Sequence, residues 1–216
     1  MIKNNLVMYI KIKNYKSRFS LLLIFILFLA IVFMIYKNRK ISNVLVSNIN
    51  IANGLNSEIE NLNKKAKIQI ENNFFSLDKG IILINMKGDT FKLEDVISDK
   101  MLVFRYSMLN CGACIQKEFE NINYTKFDKE LQRKNIMFIA FYQEIRDLIV
   151  TYRSLKLDIP IYIISNNELG MPIEKNNIPF YFAINENLKV NYVFIPERDK
   201  NELTLQYLNS IKNYFK

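Results

Sequence analysis

Histidine is absent from this chain of 216 residues, and cysteine occurs only twice. A tetrahedral structural zinc site takes four cysteine or histidine ligands, so a single chain of this composition would have to complete one with carboxylates; neither a metal nor another cofactor is expected. The two cysteines are two residues apart, and a purely structural disulfide there would staple a tiny loop for little gain in chain entropy. Lys and Arg outnumber Asp and Glu by 30 to 21, a net charge of +9. They are spread along the chain among Asn and Ile, however, and the absence of a basic stripe interleaved with aromatics argues against a nucleic-acid partner. There is no internal repeat. Half of the residues are apolar, so the chain has room for one domain with a real core, plus extras.

What is present is organised around Asn110-Cys111-Gly112-Ala113-Cys114-Ile115. The stretch before it, Met101 to Tyr106, is an apolar run of strand length, and the stretch after it, from Gly112 toward Arg133, reads as helix. Cys111 therefore stands at a helix N-terminus. There the unpaired backbone N–H groups and the positive end of the helix dipole stabilise a thiolate and lower the cysteine pKa. Cys114, one turn on, is close enough to close a disulfide with it.

Taken in order, the chain starts with a basic tail, residues 1–19, carrying Lys3, Lys11, Lys13, Lys16 and Arg18. Residues 20–36 form an unbroken apolar run. At about 1.5 Å per residue it is slightly short of a hydrocarbon core of ~30 Å, a gap that snorkelling flanks and local thinning cover. The run ends in Phe33-Met34-Ile35-Tyr36-Lys37, without the small residues that signal peptidase prefers, and no cysteine is there to take a lipid; an uncleaved anchor is expected. The basic tail outweighs Lys37, Arg39 and Lys40 beyond the span, which puts the N-terminus in the cytoplasm and the cysteines outside. Residues 37–73 read as a helical stalk or linker, with Ile41, Leu45, Ala52, Leu55, Ile59, Leu62 and Ala66 in a 4-3 spacing once Asn48 is allowed in the seam. That pattern suits a homodimer formed through the stalk, or a single amphipathic helix lying on the domain.

Residues 74–216 read as the folded domain. A hairpin is expected from Ile81-Ile82-Leu83-Ile84-Asn85 and Thr90-Phe91-Lys92-Leu93, turning at Met86-Lys87-Gly88-Asp89. After the cysteine helix, Asn135 to Tyr142 is too continuously apolar for a half-exposed strand and belongs in the middle of a sheet. A helix from Glu144 to Leu155 and a strand at Ile161-Tyr162-Ile163-Ile164 follow, so strand and helix alternate as in right-handed crossovers of an α/β layer. Phe180 to Ile184 and Lys189 to Ile195 form a second hairpin around Asn185-Glu186-Asn187, and a helix from Lys200 to Tyr214 closes the domain.

With a C-x-x-C opening a helix after a buried strand, Ile178-Pro179 just before a hairpin, and a terminal helix, the chain resembles the thioredoxin superfamily. More closely, it resembles the membrane-anchored, extracytoplasmic thioredoxin-like proteins of bacteria. The resemblance covers roughly Phe74 to Lys216 and implies an α/β fold, a thioredoxin-like sheet with flanking helices. It also implies an enzyme: a single-pass thiol–disulfide oxidoreductase of the bacterial cytoplasmic membrane, exchanging with protein disulfides and recharged by a membrane or extracytoplasmic redox partner. Cys111 would be the nucleophile and Cys114 the resolving thiol. Pro179 stands where the family has a proline in cis facing the disulfide, and Ile178 where it offers its backbone to an extended substrate. Ile178 also resembles the residue before that proline in reducing members, which favours reduction.

The departures are as specific as the matches. Thioredoxins have Trp before the first cysteine and Gly-Pro between the two, whereas this chain has Asn110 and Gly112-Ala113. The family's buried acid, six positions before the first cysteine, is matched by Arg105. Pointed at the pair, Arg105 would tune the thiolate by charge; otherwise its guanidinium reaches solvent. Two other functions fit parts of the pattern. A thioredoxin-fold peroxidase would place Thr or Ser three residues before its cysteine, where this chain has Met108. A tethered interaction or redox-sensing module would make the stalk the working part.

Overall fold

The computed structural model describes residues 2–97, 99–125, 134–155, 159–164 and 169–215. The chain divides into two compact units, Met1–Asn61 and Leu62–Lys216.

The first unit is helical throughout its described length and lies within one helix, α1, Ile2–Asn72. Residues 21–61 are all exposed. No proline interrupts them, and their single glycine, Gly54, meets nothing that a Cβ would strike. The apolar part is long and apolar enough to cross a membrane, its best 18-residue window having a mean hydropathy of 2.5. A helix suits that environment because it satisfies its own backbone hydrogen bonds where lipid offers none.

The second unit is built on a seven-stranded mixed sheet in the order β2-β1-β5-β4-β3-β6-β7. Its strands are β1 Ile82–Asn85, β2 Thr90–Lys92, β3 Met101–Ser107, β4 Ile136–Phe141, β5 Ile161–Ile164, β6 Phe180–Ile184 and β7 Val190–Phe194. The helices are α2 Leu93–Val96, α3 Gly112–Tyr124, α4 Ile145–Leu155 and α5 Asn201–Ile211, with a 3₁₀ turn at Pro172–Asn176. Both expected hairpins are antiparallel pairs, and β4, the continuously apolar strand, lies in the middle of the sheet. Residues 126–133, the expected end of the cysteine helix, lie outside the described residues.

Side chains alternate across the sheet and so sort into two cores. Leu102, Phe104 and Tyr106 of β3 face Ile115, Phe119 and Ile122 of α3, together with Leu148 of α4 and Leu208 of α5. Met101 and Val103 face the other layer with Met137, Ile139, Phe180 and Phe182, closed over by Leu93 of α2 and Ile173 of the 3₁₀ turn. Phe104 stacks on Tyr181 at 4.5 Å and meets Phe119 and Phe138 edge-on, which locks α3 to the sheet. Asn72, the last residue of α1, and Asn73 after it are built into this unit through their amides: the Asn72 Oδ1 accepts from Ile173 N at 3.0 Å and the Asn73 Oδ1 from Val193 N at 3.1 Å.

The topology decides what meets at the sheet's end. Strands β3, β4 and β5 run parallel with α3 and α4 packed on one face, and the chain then returns beneath the other face through the 3₁₀ turn. It enters β6 antiparallel to β3, with Phe180 opposite Arg105. The residues before β6 are thereby set beside the loop that leaves β3. These elements follow the order that the thioredoxin resemblance implies.

Candidate active site

The cysteine loop is held by side chains as much as by its own turn. After β3, Met108 N donates to Phe141 O at 2.9 Å and Asn110 N to Ser107 O at 3.0 Å. Asn110, which stands where the family has Trp, ties three segments together. Its Oδ1 accepts from Ser107 N at 2.7 Å and its Nδ2 donates to the Asn177 carbonyl at 2.8 Å, while Ser107 Oγ donates to Asn177 Oδ1 at 3.1 Å. The loop bearing Cys111 is thus fastened directly to the segment bearing Ile178 and Pro179.

Cys111 caps α3, and its carbonyl accepts from both Cys114 N and Ile115 N at 3.0 Å. Both cysteines are free thiols, Cys111 exposed and Cys114 half-buried. Their acidities are driven apart. The Cys111 pKa is lowered first by a hydrogen bond from the Cys114 thiol, then by the Cys114 N–H, with help from the charge of Arg198 and the Ala113 N–H against some desolvation. The Cys114 pKa is raised, first because its proton is held by Cys111, then by burial and by the neighbouring sulfur's charge. The exposed sulfur is therefore the better thiolate and the inner one keeps the proton. The first cause at both sulfurs is the hydrogen bond between them, ahead of any backbone N–H.

Cys111, Cys114, Ile178 and Pro179 line a single cleft of about 760 Å³. The Ile178–Pro179 bond is trans, since no peptide bond among the described residues is cis, and the expectation of a cis bond is corrected. Trans is the ordinary preference of an X–Pro bond, by about 0.5–1 kcal/mol. The chain reverses one residue earlier, at Asn177, which adopts the left-handed conformation at φ 46° and ψ 46° that asparagine tolerates.

Arg105 does not reach solvent. It is 5% exposed, its Nε donates to Glu174 Oε1 at 2.9 Å, and a terminal nitrogen donates to the Tyr106 carbonyl. Burial lowers its pKa and Glu174 pulls the other way; a guanidinium in such a pair remains a cation. It lines a smaller cavity of about 280 Å³ with Glu174, Asn110 and Ile178, next to the cleft that holds the cysteines. The arginine that lines the cysteine cleft itself is Arg198, in the loop after β7, and its charge lowers the pKa of both thiols. Sequence reasoning missed it, because nothing local marks one charge in Pro196-Glu197-Arg198-Asp199-Lys200 from the rest. Glu118 was missed as well, although its spacing offered a signal: four residues beyond Cys114, it shares that face of α3. It is 6% exposed, lines the cleft, and accepts from the Tyr181 hydroxyl at 3.0 Å; burial raises its pKa. Among the described residues no group of acidic, cysteine or histidine side chains could hold a metal ion.

No family model matches the sequence, and no curated protein does. Among solved structures, the chain is similar to the thioredoxin domain of a thiol-disulfide oxidoreductase from Bacteroides vulgatus, at 16% identity over 65% of this chain and 99% of that one, with a TM-score of 0.47. It is also similar to a thiol:disulfide interchange protein from Bacteroides sp., at 17% identity over 63% and 87% of the two chains and a TM-score of 0.46. A third similar structure is the pneumococcal exposed lipoprotein thioredoxin from Streptococcus pneumoniae, at 15% identity over 59% and 96%, with a TM-score of 0.41.

Proposed function

We propose that the protein is a membrane-anchored thiol–disulfide oxidoreductase that reduces protein disulfides outside the cytoplasm. The observation that carries this reading is the unequal pair of thiols: an exposed Cys111 with its pKa lowered, and a half-buried Cys114 with its pKa raised and its proton shared with Cys111. That is the division of labour between an attacking and a resolving thiol. The apolar helix and the basic tail before it support the anchor and its orientation.

The inequality of the thiols supports the following steps. The Cys111 thiolate attacks one sulfur of the substrate disulfide; a Cys111–substrate bond forms, the substrate's own S–S bond breaks, and the departing sulfur leaves as a thiolate that solvent protonates. Cys114 then gives up its proton and attacks Cys111 Sγ. A Cys111–Cys114 bond forms, the mixed disulfide breaks, and the second substrate thiol leaves, so two electrons have passed from the pair to the substrate. A redox partner returns two electrons before the next turnover. The Ile178 backbone offers an extended substrate segment its hydrogen bonds, and Pro179, lacking an N–H, keeps a donor away from the sulfurs.

The test is a trap. Cys114→Ala should accumulate mixed disulfides with cell-envelope proteins that dithiothreitol releases, Cys111→Ala should accumulate none, and neither variant should catalyse reduction of a protein disulfide. Equal trapping by both variants, or reduction without Cys111, would overturn the mechanism. A reporter that folds only in the cytoplasm, attached after Lys216, should stay dark; a strong signal would overturn the topology.

A further inference from the structure

The cleft in front of the thiols is charged, and its charges are unevenly matched. Glu197 is claimed twice, by Lys65 at 3.0 Å and by Lys200 at 3.7 Å. Glu118 lies at the buried side, bound by the Tyr181 hydroxyl and with its pKa raised by burial. Arg198 is exposed and, among the described residues, has no ion-pair partner. It is also the side chain beyond the pair itself whose charge bears on both sulfurs. The same lining includes apolar surface, from Leu109, 68% exposed, with Ile178 and Pro179.

Taking the oxidoreductase reading as its premise, we propose that Arg198 makes this site selective for disulfides that carry a carboxylate beside the reacting sulfur. The preferred occupant is an extended peptide segment with an acidic residue and an apolar residue next to its cysteine, the first for Arg198 and the second for the surface of Leu109, Ile178 and Pro179. Charge complementarity supports that choice. A guanidinium presents a planar fork that a carboxylate accepts in two parallel hydrogen bonds, and an arginine with no partner of its own is free to offer it. A cationic segment would instead meet Arg198 and Lys117, both exposed, against a single exposed carboxylate of the lining, Asp199. Like-charge contact at a binding cleft is how wrong partners are rejected.

The experiment compares three small disulfides with the reduced full-length protein in detergent: oxidised glutathione, which is anionic, cystamine, which is cationic, and 2-hydroxyethyl disulfide, which is neutral. The quantity read is the ratio of the glutathione and cystamine rates, each divided by the neutral rate so that any change in Cys111 reactivity cancels. The ratio should exceed one in the native protein, fall about two- to fivefold in Arg198→Gln as expected for one exposed charge contact, and invert in Arg198→Glu. It should also shrink in high salt, because exposed charges are screened over a few ångströms there. Peptide disulfides with Glu or Lys next to the cysteine should follow the same order. An unchanged ratio in Arg198→Glu, with the neutral rate retained, overturns the Arg198 inference and leaves the oxidoreductase reading standing. Failure of the native protein to exchange with any of the three overturns the oxidoreductase reading itself.

Discussion

Two arginines lie near the cysteine loop in opposite conditions, and the contrast separates what holds the site from what works in it. Arg105 projects from the central strand β3 into the interior, where Glu174 answers its charge and the side chains are 6% and 8% exposed. Glu174 is itself tied down, its second oxygen accepting from Leu169 N at 2.5 Å. Arg198 stands on a loop in the open cleft, exposed and with no ion-pair partner among the described residues. A buried charge has to be matched by the fold, because desolvation makes an unmatched one costly; an exposed charge can stay unmatched and remain available to a ligand. The position that the thioredoxin resemblance matches to an acidic residue is here a strut between β3 and the 3₁₀ turn.

The sharpest way to break the contrast is to remove each arginine. Arg105→Ala should destabilise the second unit by about 3–5 kcal/mol, because Glu174 is left as a buried charge without its cation. The double variant Arg105→Met, Glu174→Gln should recover most of that loss. Arg198→Ala, at an exposed position, should change stability by less than about 0.5 kcal/mol. Denaturant unfolding of the full chain in detergent, followed by the tyrosine signal, measures all three. Comparable losses at the two positions would show that the distinction between strut and cleft charge is mistaken.

A second, smaller effect sharpens it from the thiol side. With limiting iodoacetamide near pH 7, Cys111 should be labelled at least about tenfold faster than Cys114, since the thiolate is the reactive species and the two pKa values are displaced in opposite directions. Arg198→Gln should move the Cys111 labelling profile to higher pH, as expected for a thiolate that has lost a nearby cation. Mass spectrometry of the labelled peptides reads both results. Preferential labelling of Cys114 would reverse the assigned roles.

Much of the fold was legible because its signals are local. Continuous apolar runs marked β3 as a buried strand and β4 as a central one, turn chemistry at Gly88 and at Asn185 marked the two hairpins, and C-x-x-C after a strand marked the start of α3. What was not legible depends on partners far away in the chain. Arg105 and Glu174 are 69 positions apart, so neither residue's environment could be read from its neighbours. Asn72 and Asn73 look like the polar end of a stalk, yet their amides satisfy backbone N–H groups more than a hundred residues on. The 3₁₀ turn did leave a trace that went unread: Pro172 at its first position and Asn177 at its left-handed end are the start and stop residues of a short helical turn. The trans geometry of Ile178–Pro179 could not have been read locally, since both isomers suit the same two residues.

The smallest effect concerns Glu118, the one acidic residue of the cleft that is held in the interior. Burial raises its pKa, and the hydrogen bonds from Tyr181 and Asn121 and the charge of Lys117 only partly oppose this. The folded state therefore binds this proton more tightly than the unfolded chain does. Between the unfolded carboxyl pKa, about 4.3, and the raised folded value, the native protein carries more protons, so the stability that Glu118 contributes is fully present below that window and is lost as pH rises through it. Glu118→Gln is neutral at every pH and keeps an oxygen to accept from Tyr181. Its melting temperature should exceed that of the native protein by about 2–4 °C at pH 8, the shift expected for roughly 1 kcal/mol in a unit of this size, and the gain should vanish near pH 4. A gain of equal size at both pH values would trace the effect to packing instead of charge. A loss at pH 8 would mean that Tyr181, Asn121 and Lys117 together hold the ionised carboxylate more strongly than burial penalises it, against the direction of the shift.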